Sequence, residues 1–146
     1  MMRIVLPVVL VFALVAVAPK RWAQAQLPVQ KVKAAKSATA LVVLNQGKAR
    51  AFGSAFCIDP AGVFVTNAHV AKAAKATGEI RLVVDPGETT MKELTAKVLL
   101  TNEDADLALL AAYGAKELPA LELADSDALF DTMQITAFGY PFGGAL

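Results

Sequence analysis

The sequence predicts an all-β domain, an antiparallel barrel or sandwich, from three observations. Short β-type runs recur along the chain at Ala40–Leu44, Ala51–Ile58, Val63–Val65, Ile80–Val84, Leu94–Leu100, Leu107–Ala111 and Met133–Phe138. Turn-forming residues separate several of them, and only one short stretch, Ala68–Ala76, has the composition of a helix. Short strands spaced by turn residues are the pattern of antiparallel sheets closed or packed on themselves.

Length and charge set the frame. The chain has 146 residues, 56% of them hydrophobic, with a formal net charge of +1. This fits one globular domain and implies neither nucleic acid nor an anionic surface as partner. Arg3, the apolar run Ile4–Ala18 and the small-x-small triplet Ala23-Gln24-Ala25 read as a secretory signal peptide over residues 1–25, cleaved after Ala25. Ala16-Val17-Ala18 is the poorer cleavage pattern, because Pro19 follows it. The run falls short of the roughly 20 residues that span a bilayer, so a membrane contact is expected only if the segment stays uncleaved. Removing Arg3, Lys20 and Arg21 with no acid leaves 14 − 3 = 11 basic against 13 acidic residues, a net charge of −2. The expected location is periplasmic or extracellular.

Residues 26–37, with Pro28, Lys31, Lys33 and Lys36, hold too few large apolar groups for a core position and read as a flexible approach. From Thr39 the strands follow. Their connections Asn45-Gln46-Gly47, Asp59-Pro60-Ala61-Gly62 and Asp85-Pro86-Gly87-Glu88 end or pivot on glycine, which tolerates positive φ. The helix Ala68–Ala76 is alanine-rich, and Thr66 or Asn67 can cap it. Leu118–Ala124 leads into Asp125-Ser126-Asp127, a turn or helix start, and the strand Met133–Phe138 runs into Gly139–Gly144. Cys57, the sole cysteine, can form no internal disulfide and reads as a buried small hydrophobe. A nucleophilic thiolate would need exposure and a positive surrounding.

The chemistry left to the chain is acid–base. One histidine and one cysteine do not make a zinc site, and no Gly-Lys-Ser or Gly-Lys-Thr marks a phosphate loop, so no cofactor or metal is expected. His69 is the only histidine, and imidazole takes and returns protons near neutral pH. Such a base needs an orienting carboxylate. Asp106, set between a polar loop and the run Leu107–Leu110, is the best candidate, and Asp104 is its near rival.

Gly53–Ile58, Thr66-Asn67-Ala68-His69-Val70, Asp106-Leu107-Ala108-Leu109-Leu110 and Ala137-Phe138-Gly139-Tyr140-Pro141-Phe142-Gly143 together resemble the HtrA/Deg branch of the trypsin-like serine proteases, over residues 38–143. The resemblance implies a six-stranded antiparallel β-barrel over residues 38–130, the first of two, with a short helix after the His-bearing strand. It implies that His69 is the general base of a serine endopeptidase and Asp106 its partner. Protein or peptide substrates follow, and a homo-oligomer is allowed. The family's nucleophile lies in a Gly-Asn-Ser-Gly-Gly motif on the second barrel. Here Ser37, Ser54 and Ser126 are the only serines, none set among such glycines, so the chain alone is expected to be inactive. Residues 131–146 are expected as the opening strand of a second, truncated barrel, and a downstream PDZ domain would lie beyond them. The alternative is a binding or interaction module derived from the protease barrel.

Overall fold

A computed structural model describes residues 27–46, 49–75 and 80–141. The expected signal peptide and the turn at Gly47 lie outside the described residues. Six strands, β1 (Thr39–Gln46), β2 (Ala49–Asp59), β3 (Val63–Thr66), β4 (Ile80–Val84), β5 (Lys92–Asn102) and β6 (Leu107–Ala112), close into a barrel in the order β1-β2-β3-β6-β5-β4. All neighbours are antiparallel, as the sequence predicts, and the structure resolves the choice between barrel and sandwich in favour of the barrel.

Turn chemistry sets the hairpins. At the β2–β3 corner the Gly62 N–H donates to the Asp59 carbonyl at 2.8 Å, and the Ala61 N–H to Asp59 Oδ1 at 2.8 Å. Gly62 has φ +98°, and a Cβ there would collide with Ala115, so both conformation and space require glycine. Between β4 and β5, the Glu88 N–H donates to the Asp85 carbonyl at 3.1 Å, with Gly87 at φ +83°. Bulges between Cys57 and Asp59 in β2 and between Val98 and Leu100 in β5 bend those strands around the barrel.

Alternate residues point inward, and Val42, Leu44, Cys57, Phe64, Leu82 and Leu110 are the largest fully buried side chains. Cys57 is 1% exposed, with its Sγ donating to the Asp59 carbonyl at 3.1 Å. Burial pushes the thiol pKa up. It is therefore a core residue, as its alternation predicts, and is held away from the thiolate state a nucleophile needs. Strand β1 is buried on both faces: Leu41 and Val43 form an outer cluster with Val83, against which Tyr140 packs.

A second helix in chain order, α2 (Ala68–Lys75), follows β3 directly. Its Val70 rests on Gly53 of β2, where an added Cβ would stand 2.9 and 3.0 Å from the two Val70 methyl carbons. Valine is stiff about χ1 and cannot swing clear. Gly53→Ala is therefore expected to destabilise the domain by about 1–3 kcal/mol through overpacking. Denaturant unfolding of the two proteins measures this, and a loss within error of zero would show that α2 shifts freely.

In the stretch expected as a flexible approach, residues 26–37, the structure has a helix of 10 residues, α1 (Val29–Ala38). Its alanines and lysines favour the helical state, and Pro28 stands just before the first turn, where no N–H is needed. Thr39 Oγ1 donates to the Ala35 carbonyl at 2.7 Å and ties the helix end to β1. Helix propensity thus operates where few large apolar groups are present. Met133–Phe138, expected as the opening strand of a second barrel, joins no ladder among the described residues, and Ile135 is 80% exposed. Apolar β-type residues make a strand only where a neighbouring edge accepts their backbone bonds. What fixes the segment is its end, where the Tyr140 N–H donates to Ser54 Oγ at 2.7 Å. The expected turn or helix start after Ala124 is a 3-10 turn, Ser126–Ala128, with the Asp125 side chain accepting from the Asp127 N–H.

Candidate active site

Strand register builds the site. Thr66 of β3 pairs with Ala108 of β6 in antiparallel sense, so the residues just beyond Thr66 and just before Leu107 meet at one barrel end. Thr66 closes its strand by donating its hydroxyl to the Ser54 carbonyl at 2.8 Å. On the other side, residues 103–106 form the β5–β6 turn. Asn102 Oδ1 accepts the Ala105 N–H at 3.0 Å, and Asp106 sits at φ +49°.

Asp106 then serves α2 in place of a local cap. Its carbonyl accepts the Ala68 N–H at 3.1 Å, and its Oδ1 accepts the His69 N–H at 3.0 Å. Neither Thr66 nor Asn67 supplies these bonds, although both types favour helix starts; the first two N–H groups of α2 are satisfied from the β5–β6 turn. The Asn67 carbonyl accepts the Ala71 N–H, as the residue before a helix does.

The same carboxylate faces the imidazole. His69 Nδ1 lies 2.8 Å from Asp106 Oδ2 and 3.0 Å from Oδ1. Asp106 is held below the ordinary carboxylate pKa, first by the main-chain N–H of His69, then by the ring's hydrogen bond and charge, with Asn67 adding to them. It is therefore ionised at neutral pH and can only accept hydrogen bonds. Nδ1 must be the donor, which leaves Nε2 of a neutral ring with its lone pair free. The ring's side chain is 71% exposed, and among the described residues nothing hydrogen-bonds to Nε2. A base oriented in this way can take a proton from a hydroxyl brought to its open edge.

Of the two carboxylates weighed from the sequence, Asp106 is bonded to His69, whereas Asp104 is exposed in the same turn with no bond to the ring. Glu103 of that turn meets Lys72 of α2 at 3.3 Å, an exposed pair of small energetic weight. Among the described residues no serine is hydrogen-bonded to His69. Ser54 Oγ is committed to the Tyr140 N–H, Ser37 is in α1, and Ser126 opens the exposed 3-10 turn. The sequence reading missed the part Asn67 plays here: its Nδ2 donates to Asp106 Oδ2 at 3.1 Å and to the Asp106 carbonyl at 3.3 Å. Nothing in its neighbours distinguishes that use from capping.

Comparison with known proteins bears on the family and the fold. Residues 53–146 match the family described as trypsin-like peptidase domain. The chain is similar to the periplasmic serine endoprotease DegP of Salmonella typhimurium, 38% identical over 100 residues covering 68% of this chain and 20% of DegP. It is likewise similar to a probable periplasmic serine endoprotease, DegP-like, of Marinomonas sp., 36% identical over 99 residues covering 68% of this chain and 19% of the relative. Among solved structures, the HtrA-type protease AlgW with tripeptide superposes with a TM-score of 0.59 at 26% identity, over 70% of this chain and 31% of that one. The chain spans about a fifth of the length of the curated relatives it matches. With its six-stranded barrel and these relatives, the chain belongs to the trypsin-like peptidase domain family, on its HtrA/DegP branch.

Proposed function

We propose that these residues carry the proton-handling part of a serine endopeptidase, with His69 as general base and Asp106 as its orienter. The observation that carries the reading is that one carboxylate binds both the ring Nδ1, at 2.8 Å, and the main-chain N–H of His69, at 3.0 Å. In such a site Nε2 accepts the proton of an attacking serine hydroxyl, and the resulting imidazolium is stabilised by Asp106. The proton then passes to the leaving amine. Asp106 keeps its charge throughout.

The serine comes from polypeptide beyond these 146 residues. None of Ser37, Ser54 and Ser126 is hydrogen-bonded to His69 among the described residues, and the matched region covers 20% of the length of DegP. Because the relatives are named periplasmic serine endoproteases, the substrate class is protein or peptide and the N-terminal residues act as an export signal.

Fluorophosphonate labelling tests the assignment. The 146-residue chain is expected to remain unlabelled, and a chain extended by the following coding sequence to label on a serine in a Gly-x-Ser-Gly-Gly setting. Label on Ser37, Ser54 or Ser126 would overturn the account of the nucleophile. A stop codon directly after Leu146 would favour a binding module instead.

A further inference from the structure

We propose that Asn67 is a positioning residue for Asp106, pinning both its carboxylate and its backbone so that the proton of His69 stays on Nδ1. The inference rests on the His69–Asp106 reading above and adds a member to it. Three observations combine. Asn67 Nδ2 donates to Asp106 Oδ2 at 3.1 Å and to the Asp106 carbonyl at 3.3 Å, so one amide reaches two acceptors on the same residue. Asp106 occupies the left-handed region, φ +49°, a conformation that non-glycine residues keep only when their surroundings hold them there. Its Oδ1 is fixed by the His69 main-chain N–H, but besides Asn67 the partner of Oδ2 among the described residues is the ring itself.

That last point gives Asn67 its role. A carboxylate held at one oxygen can still pivot about that contact and carry the other out of line with Nδ1. The ring cannot serve as the fixed reference, because its own protonation changes during the reaction. Asn67 supplies the reference from the position just before α2, and its bonds to Asp106 do not depend on the charge of the imidazole. The donor is essential. Aspartate could not donate, leucine would keep the shape without the N–H groups, and a serine hydroxyl is one bond too short to span both acceptors.

The test uses long-range 1H–15N correlation spectra of the full chain at a pH where the imidazole is neutral. His69 is the only histidine, so its two ring nitrogens are read without assignment ambiguity. Free neutral imidazole of histidine favours the Nε2–H tautomer, so an excess of Nδ1–H reports a correctly aligned Asp106. Asn67→Leu, which keeps the shape, and Asn67→Ser, which keeps a residue suited to a helix start, are both expected to lower the Nδ1–H to Nε2–H ratio about tenfold, the effect of losing one hydrogen bond. Backbone amide spectra confirm that each variant is folded. In the extended, active peptidase the same substitutions should lower kcat about tenfold with KM unchanged. A tautomer ratio unchanged in both folded variants would overturn the role of Asn67 while leaving the His69–Asp106 pair intact. An Nε2–H ring already in the unaltered chain would overturn both.

Discussion

Replacing His69 by alanine in the extended, active peptidase is expected to lower kcat by a factor on the order of 10^5 to 10^6, the loss seen when the base of a catalytic triad is removed. The magnitude follows from the geometry. Asp106 is committed to His69 through three contacts, two with the ring and one with the main chain, and Asp104 makes none. Without the imidazole no described side chain is placed to take over its proton. KM should change little, because the ring handles the proton and does not grip the substrate. Steady-state kinetics on a peptide substrate measure both constants, and turnover within about tenfold of the unaltered enzyme would remove His69 from the mechanism.

The second large effect is expected from Asp106→Asn, with a fall in kcat of about 10^4-fold despite a nearly isosteric change. The His69 main-chain N–H occupies the side-chain oxygen that it meets as Oδ1, so an amide at this position keeps its oxygen there and turns its NH2 toward Nδ1. Nδ1 then becomes the acceptor, the proton moves to Nε2, and the edge that should receive the serine proton is blocked. The substituted side chain would still cap α2, since asparagine and aspartate serve helix starts equally well. Asp106→Ala loses the cap as well, so at neutral pH it should lower Tm further than Asp106→Asn, which loses only the bonds the charged carboxylate makes through Oδ2. The pH dependence has a definite sign. The folded pKa of Asp106 is depressed, so the stability from its contacts is fully present above the ordinary carboxylate range and is lost as pH falls below that range through the lowered value. The melting temperatures of Asp106→Asn and the unaltered chain should therefore converge on acidification.

The sequence makes the barrel legible because its strands alternate and its corners carry glycine and proline where the backbone needs them. Ile80–Val84 is a strand over the expected bounds, and the helix expected from Ala68 begins there. His69 and Asp106 were readable as candidates from residue type and motif order. Their joining was not, because His69 and Asp106 are 37 residues apart and meet only through the β3–β6 register. The capping of α2 from Asp106 was hidden for the same reason: Thr66 and Asn67 have local capping chemistry, but the barrel brings a stronger acceptor to the same N–H groups. Composition misled at both ends. Residues 29–38 lack bulk yet have the propensity for a helix, whereas Met133–Phe138 has bulk and β-branching yet joins no ladder among the described residues.

The most direct measurement on the His69–Asp106 pair is the tautomeric state of the single imidazole, read by 15N spectroscopy in the unaltered chain and in Asp106→Asn. The geometry predicts Nδ1–H with a bare Nε2 in the first and a switch to Nε2–H in the second. An Nε2–H ring in the unaltered chain, or the same tautomer in both proteins, would contradict a general base oriented by Asp106.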